Sequence, residues 1–259
     1  MRIVIIGTGN VAYHLIQAFN KSTATLFAHA RNKPALDLFK LEFPSITILS
    51  SSDLTSLQAD LVIISVKDDV LNEVFERYTY SAKTLVVHTS GTQAFKDTTF
   101  HQHVGVFYPL QTFSKASVVQ WNTTPMLIEA RSNENLELLE RAATLLHAPH
   151  FETDTQQRKY IHLAAVLTSN FANHLLGKTA ALLEKQSIDY HILQPLVEAT
   201  IKKAFTKHPF DVQTGPAIRN DTLTIEKHLS LLKEDPLLQN IYSNLTESIQ
   251  KTGNLDTNL

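Results

Sequence analysis

Short, continuously apolar runs alternate with amphipathic stretches over the first 150 residues, and the alternation predicts strand–helix–strand repeats. Ile3-Val4-Ile5-Ile6, Leu61-Val62-Ile63-Ile64 and Leu85-Val86-Val87 show no polar interruption, as parallel strands covered on both faces require. Strands are expected at 2–6, 24–29, 46–49, 60–66, 84–88, 103–107, 125–130 and 149–152. Helices are expected at 10–20, 33–42, 69–77 and 133–147, with a shorter helical turn near 53–57. This order implies an open, doubly wound, mostly parallel sheet with right-handed crossovers. Ligands of such sheets bind at the carboxyl ends of the strands.

The pattern changes near residue 153. Thr153-Asp154-Thr155-Gln156-Gln157 reads as a capped helix start. A helical pattern then runs unbroken to about Gln186, roughly 45 Å at 1.5 Å per residue. Its apolar residues, from Ile161 through Leu183, nearly encircle it, so the helix is expected to be buried on most sides. Further helices are expected at 189–207, 215–232 and 236–251, and the last eight residues read as frayed. Two domains result: an α/β domain over 1–153 and an all-helical domain over 154–259. The second is too extended to bury itself well, which predicts a homodimer formed through it.

Composition narrows the class. The chain has 259 residues, 43% of them hydrophobic and 19% charged, as an ordinary globular protein has. A net charge of −2 argues against nucleic acid as a partner. No apolar run reaches the roughly 20 residues of a membrane span. With the first strand starting at residue 2, no secretory signal is expected, and the expected location is cytoplasmic. The absence of cysteine excludes disulfides, thiol catalysis and cysteine-ligated metals. His101 and His103 lack a ligand-spaced carboxylate, so no metal is expected.

The candidate chemistry begins at Gly7-Thr8-Gly9-Asn10-Val11-Ala12. Two of the chain's seven glycines lie here, between a predicted buried strand and a predicted amphipathic helix. Gly7 would make a tight turn, Gly9 would let backbone approach a pyrophosphate, and Ala12 would permit close helix–strand packing. The helix N-terminus would then face the phosphates. The end of the second strand, His29-Ala30-Arg31-Asn32, carries no carboxylate for a ribose 2′-hydroxyl. Arg31 there, with Asn32 and Lys33 beside it, favours a 2′-phosphate, hence NADP (NADPH) over NAD.

Two loops leave later strands at the same edge, His88–Gln93 and Phe107–Phe113. On an ideal helix Ser169 and Asn173 lie about 20° to either side of His162, with Asn170 about 80° away. His162 is a candidate acid or base near neutral pH. A satisfied core stripe or a dimer contact accounts for the same pattern. Thr214–Asp221 reads as a turn into a helix with Pro216 at its first position. Arg219 in that turn could clamp an anionic substrate.

Together these stretches identify a resemblance. GTGNVA (7–12), ADLVIISVKDD (59–69), VVHTSGTQ (86–93), YPLQTFS (108–114), HLAAVLTSNFANHL (162–175) and TGPAIRND (214–221) resemble a family of NADP oxidoreductases. That family joins a Rossmann-like N-terminal domain to a helical C-terminal domain of unknown function. Its relatives are pyrroline-5-carboxylate reductases, deazaflavin-dependent NADP reductases and β-hydroxyacid dehydrogenases. The resemblance implies cofactor contacts at Gly7, Thr8, Gly9, Asn10, Val11, Arg31, Val66 and Lys67. It places Ser90, Gln111, His162, Ser169, Asn170 and Arg219 around the nicotinamide. The chain departs from the family with Tyr108 in place of a usual His, and with Asn220 inside a loop that often reads Arg-Gly-Asp. Val166 stands four residues before Asn170, where β-hydroxyacid relatives carry a lysine, so that lysine chemistry does not transfer. His162 and Tyr108 are left as the proton donors. The expected reaction is hydride transfer between NADPH and a C=O or C=N group of a small metabolite. A non-catalytic NADP(H)-binding sensor is the alternative, and an S-adenosylmethionine methyltransferase a weaker third.

Overall fold

The computed structural model describes residues 1–94 and 101–255. All eight expected strands are present: β1 (Arg2–Ile6), β2 (Thr25–His29), β3 (Thr47–Ile48), β4 (Leu61–Ile64), β5 (Leu85–His88), β6 (Val104–Pro109), β7 (Met126–Ala130) and β8 (His150–Glu152). They form one sheet in the order β3-β2-β1-β4-β5-β6-β7-β8. Every pairing is parallel except β6 with β7. Strand order reverses at β1, so the carboxyl ends of β1 and β4 flank the crevice where doubly wound sheets take ligands.

Burial explains the uninterrupted apolar runs. Ile3 and Ile5 of β1 pack on one face with α1 (Asn10–Phe19), α2 (Lys33–Glu42) and α4 (Asn133–Leu145). Val4 and Ile6 pack on the other with α3 (Leu71–Arg77). β1 therefore needs apolar residues at odd and even positions alike.

The chain divides into two compact units, Met1–Asn170 and Phe171–Leu259. The first keeps α5 (Thr155–Ala165), opened by a capping box in which Asp154 accepts from Gln157 N and the Gln157 side chain accepts from Asp154 N. A π-helical turn, Val166–Asn170, comes directly after it. The sequence marks a change of secondary structure at 153, whereas packing keeps α5 with the sheet.

The second unit is helical: α6 (Phe171–Glu184), α7 (Gln194–Ala204), α8 (Thr222–Leu231) and α9 (Pro236–Leu255). Lys178 pairs with Asp235, and His228 Nδ1 lies 2.9 Å from the Tyr242 hydroxyl. Two expectations fail here. Residues 215–221 are a turn and not the start of a helix, because Gly215 (φ +112°) and Asn220 (φ +52°) adopt left-handed backbone and Asp221 caps α8 through Thr224 N. The long helix is also not buried within the chain: Leu163, Leu167, Phe171 and Leu176 are all exposed. α9 runs to Leu255, past the end expected from the pattern, and 256–259 of the expected frayed tail lie outside the described residues.

Candidate active site

At the carboxyl edge of the sheet the first unit holds a cleft of about 1320 Å³. Its floor is the turn after β1. Gly7 has φ +130°, and a Cβ on it would sit 2.0 Å from the Ser65 carbonyl oxygen, so only glycine passes between β1 and β4. Gly7 N–H donates to His29 O at 3.0 Å, tying the turn to β2 as well. Gly9 is the N-cap of α1 and supplies no side-chain cap, and a Cβ there would meet open space. The first-turn N–H groups of α1 thus lack a side-chain acceptor beside the cleft, the condition under which a helix N-terminus receives a phosphate.

The side walls bring the predicted cofactor residues together. Thr8, Asn10, Val11, Arg31, Val66, Lys67 and Gln111 all line the cleft. The Asn10 side-chain amide donates to Phe113 O at 2.9 Å, and His14 Nε2 meets Ser114 O at 2.8 Å, so the loop after β6 is strapped over α1. Ser90 lies outside the lining. Its hydroxyl donates to Asp68 at 2.8 Å and accepts from Thr92 N and Gln93 N, which fixes the shape of the β5 loop.

The far wall is α5 with its π turn. His162 faces Tyr108 from β6, with Nδ1 3.0 Å from the phenol oxygen and the two rings edge to face. Burial raises the Tyr108 pKa, against a smaller opposing effect of Arg158, so its hydroxyl stays protonated and able to donate. Behind the His162 ring stands Gly91. A Cβ on Gly91 would lie 2.5 Å from His162 Nδ1, so the bare glycine makes room for the ring. Ser169 and Asn170 also line the cleft. Both residues belong to the π turn. The Thr168 hydroxyl bonds Ala164 O at 2.8 Å within that turn, a side-chain bond that competes with the regular ladder. Arg219 belongs to the second unit, in the turn before α8.

Sequence reasoning missed the support beneath this wall. Arg158, one turn before His162 and fully buried, pairs with Glu129 of β7 and donates to Gln93 O. Thr155 donates to the same carboxylate at 2.9 Å. The spacing from Arg158 to His162 is visible in the sequence, but the identity of its partner is not. His88 is also buried, with Nδ1 accepting from Ser90 N and Nε2 without a partner. Desolvation, helped by the Arg158 charge, pushes its pKa down to about 3. Among the described residues no group of three His, Asp or Glu side chains is placed to hold a metal.

Comparison with known proteins agrees with this geometry. A family model described as NADP oxidoreductase, coenzyme F420-dependent, matches residues 2–91, and one described as a domain of unknown function (DUF2520) matches 124–249. The chain is 34% identical to a Bacteroides fragilis protein whose structure is described as a "putative NADP oxidoreductase", with a TM-score of 0.84 over 96% of this chain and 98% of that one. The chain belongs to this NADP oxidoreductase family. NADP is the family's cofactor, and the glycine turn, the open N-terminus of α1 and Arg31 fit it. More distant structures share the fold. A 1-pyrroline-5-carboxylate reductase from Streptococcus pyogenes is 16% identical (TM-score 0.65, covering 97% of this chain and 98% of that one). An imine reductase from Myxococcus stipitatus in complex with NADP+ is 14% identical (TM-score 0.66, covering 100% and 94%). No curated protein matches the sequence.

Proposed function

We propose that this oxidoreductase reduces a C=O or C=N group of a small metabolite with NADPH. The observation that carries the reading is the Tyr108–His162 pair, 3.0 Å apart in the same cleft as the glycine turn. Bound NADPH supplies the hydride. Gly7, Gly9 and the first turn of α1 would hold the pyrophosphate and Arg31 the 2′-phosphate, with Val66, Lys67 and Gln111 lining the rest of the cleft.

The protein's part in the chemistry is proton delivery. Addition of hydride to a carbonyl carbon leaves negative charge on oxygen, which must be neutralised. The Tyr108 hydroxyl donates a proton to that oxygen, and His162, bonded to Tyr108, replenishes it. Ser169 and Asn170 hydrogen-bond the substrate and hold its reacting group in place. The exposed apolar residues of the second unit support a homodimer formed through it, and among the described residues no helix is long and apolar enough to cross a membrane.

A screen of carbonyl and imine substrates, read by NADPH oxidation, tests the assignment. With a substrate in hand, His162→Ala and Tyr108→Phe should each reduce kcat about 100-fold, within the usual range of general-acid contributions. Full turnover in both variants would remove the proton-transfer role. NADPH binding without turnover across the screen would favour the sensor.

A further inference from the structure

The predicted 2′-phosphate site rests on Arg31, with Asn32 and Lys33 next to it in the sequence, and the structure brings a second guanidinium to it. α3 ends at Arg77, and Arg77 lines the cleft together with Arg31 and Asn32. The two arginines come from segments more than forty positions apart in sequence, joined because β2 and β4 both flank β1. They converge on one atom. Glu73 Oε1 pairs with Arg77 and lies 3.6 Å from an Arg31 nitrogen, so an anionic oxygen already sits between the two guanidinium groups. All three side chains are well exposed, at 60% for Arg31, 37% for Arg77 and 51% for Glu73, so the arrangement is open to a ligand. Asn32 is committed elsewhere, its side chain accepting from Ala35 N to cap α2.

We infer that Arg77 is the second arm of the 2′-phosphate clamp, and that Glu73 holds the two arms together until the phosphate replaces it. The inference deepens the NADPH reading of the same cleft and rests on it. A phosphate dianion between two guanidiniums accepts several charge-assisted hydrogen bonds, whereas a 2′-hydroxyl offers neither the charge nor the geometry. Exchanging a single carboxylate for a dianion at this point favours NADPH. With NADH, Glu73 keeps its two partners and neither arginine contributes.

Binding measurements separate this from turnover. Titration calorimetry with NADPH, NADH and the fragment 2′,5′-ADP should show Arg77→Ala weakening NADPH and 2′,5′-ADP by about tenfold, as Arg31→Ala does, with NADH unchanged. Arg77→Lys should fall between, because it keeps the charge and loses the fork. Glu73→Gln should tighten 2′,5′-ADP, since it removes the competing anion. Equal weakening of NADH and NADPH by Arg77→Ala would show a merely structural residue and overturn the inference, as would no change in either. A wild-type protein that binds 2′,5′-ADP and NADPH but reduces nothing leaves the clamp standing while the reductase reading fails.

Discussion

Single residues carry the most compressed information in this chain. Gly7 is legible in the sequence because a GxGxxA turn after an apolar strand has one main use, and the 2.0 Å approach to Ser65 O shows the physical reason. Gly91 is not legible in that way. Its role depends on the His162 ring, about seventy positions later, standing where a Cβ would be. His88 is likewise ordinary in sequence and unusual in place. Fully buried, with a pKa near 3 against an ordinary value near 6.5, it stays neutral in the native state while the unfolded chain takes up a proton. A depressed pKa of this kind contributes stability above pH 6.5 that is lost as pH falls toward 3. Between pH 6 and 4 this one group should cost about 1.4 kcal/mol per pH unit. Urea unfolding at a series of pH values should therefore show a shallower acid slope for His88→Gln, by about one proton. A slope identical to wild type would mean that His88 is not held neutral.

Elements are where pattern reading did best and where its one geometric assumption broke. The central strands β1, β4 and β5 followed from apolar runs because a parallel strand with both faces covered has little choice of residue. The long helix followed equally well, but its side-chain directions did not. An ideal count puts Asn170 at the margin, whereas in the structure it lines the cleft from within the π turn at Val166–Asn170. Nothing in the residue pattern announces one extra residue per turn. The seating of α5 depends on Arg158 and Glu129, a buried pair formed between a helix and a strand that sequence cannot match up. Removing one partner leaves an uncompensated buried charge, so Arg158→Met or Glu129→Gln should destabilise the protein by about 3–5 kcal/mol. The double variant Arg158→Met with Glu129→Leu should recover much of that loss in thermal or urea unfolding. If the double variant proves as unstable as the worse single one, the pair matters for its shape more than for its charge balance.

The whole molecule is two units of different character. The first buries apolar residues on both faces of a sheet, whereas among the described residues of the second only Ala217 and Leu232 are buried hydrophobics. On α7 and just beyond it, Leu196, Ile201 and Phe205 are exposed at 65%, 53% and 89%. A single chain rarely leaves so much apolar helix surface in water, and a second copy is the simplest cover. Light scattering coupled to gel filtration should give twice the 29.1 kDa chain mass, and Ile201→Asp with Phe205→Glu should shift it toward one chain. A wild-type mass of one chain at micromolar concentration would refute the dimer.

Sequence alone determined most of the elements, the mostly parallel sheet, the glycine turn and the preference for a 2′-phosphorylated cofactor. Each of these is set by neighbours within a few residues, through periodicity, backbone geometry or charge at a strand end. Tertiary structure alone decided which distant groups meet. It placed Tyr108 against His162, Gly91 behind His162, Arg158 on Glu129 and Arg77 beside Arg31. Those meetings depend on strand order and on one irregular turn of helix, and both are products of packing across the chain that no local pattern encodes.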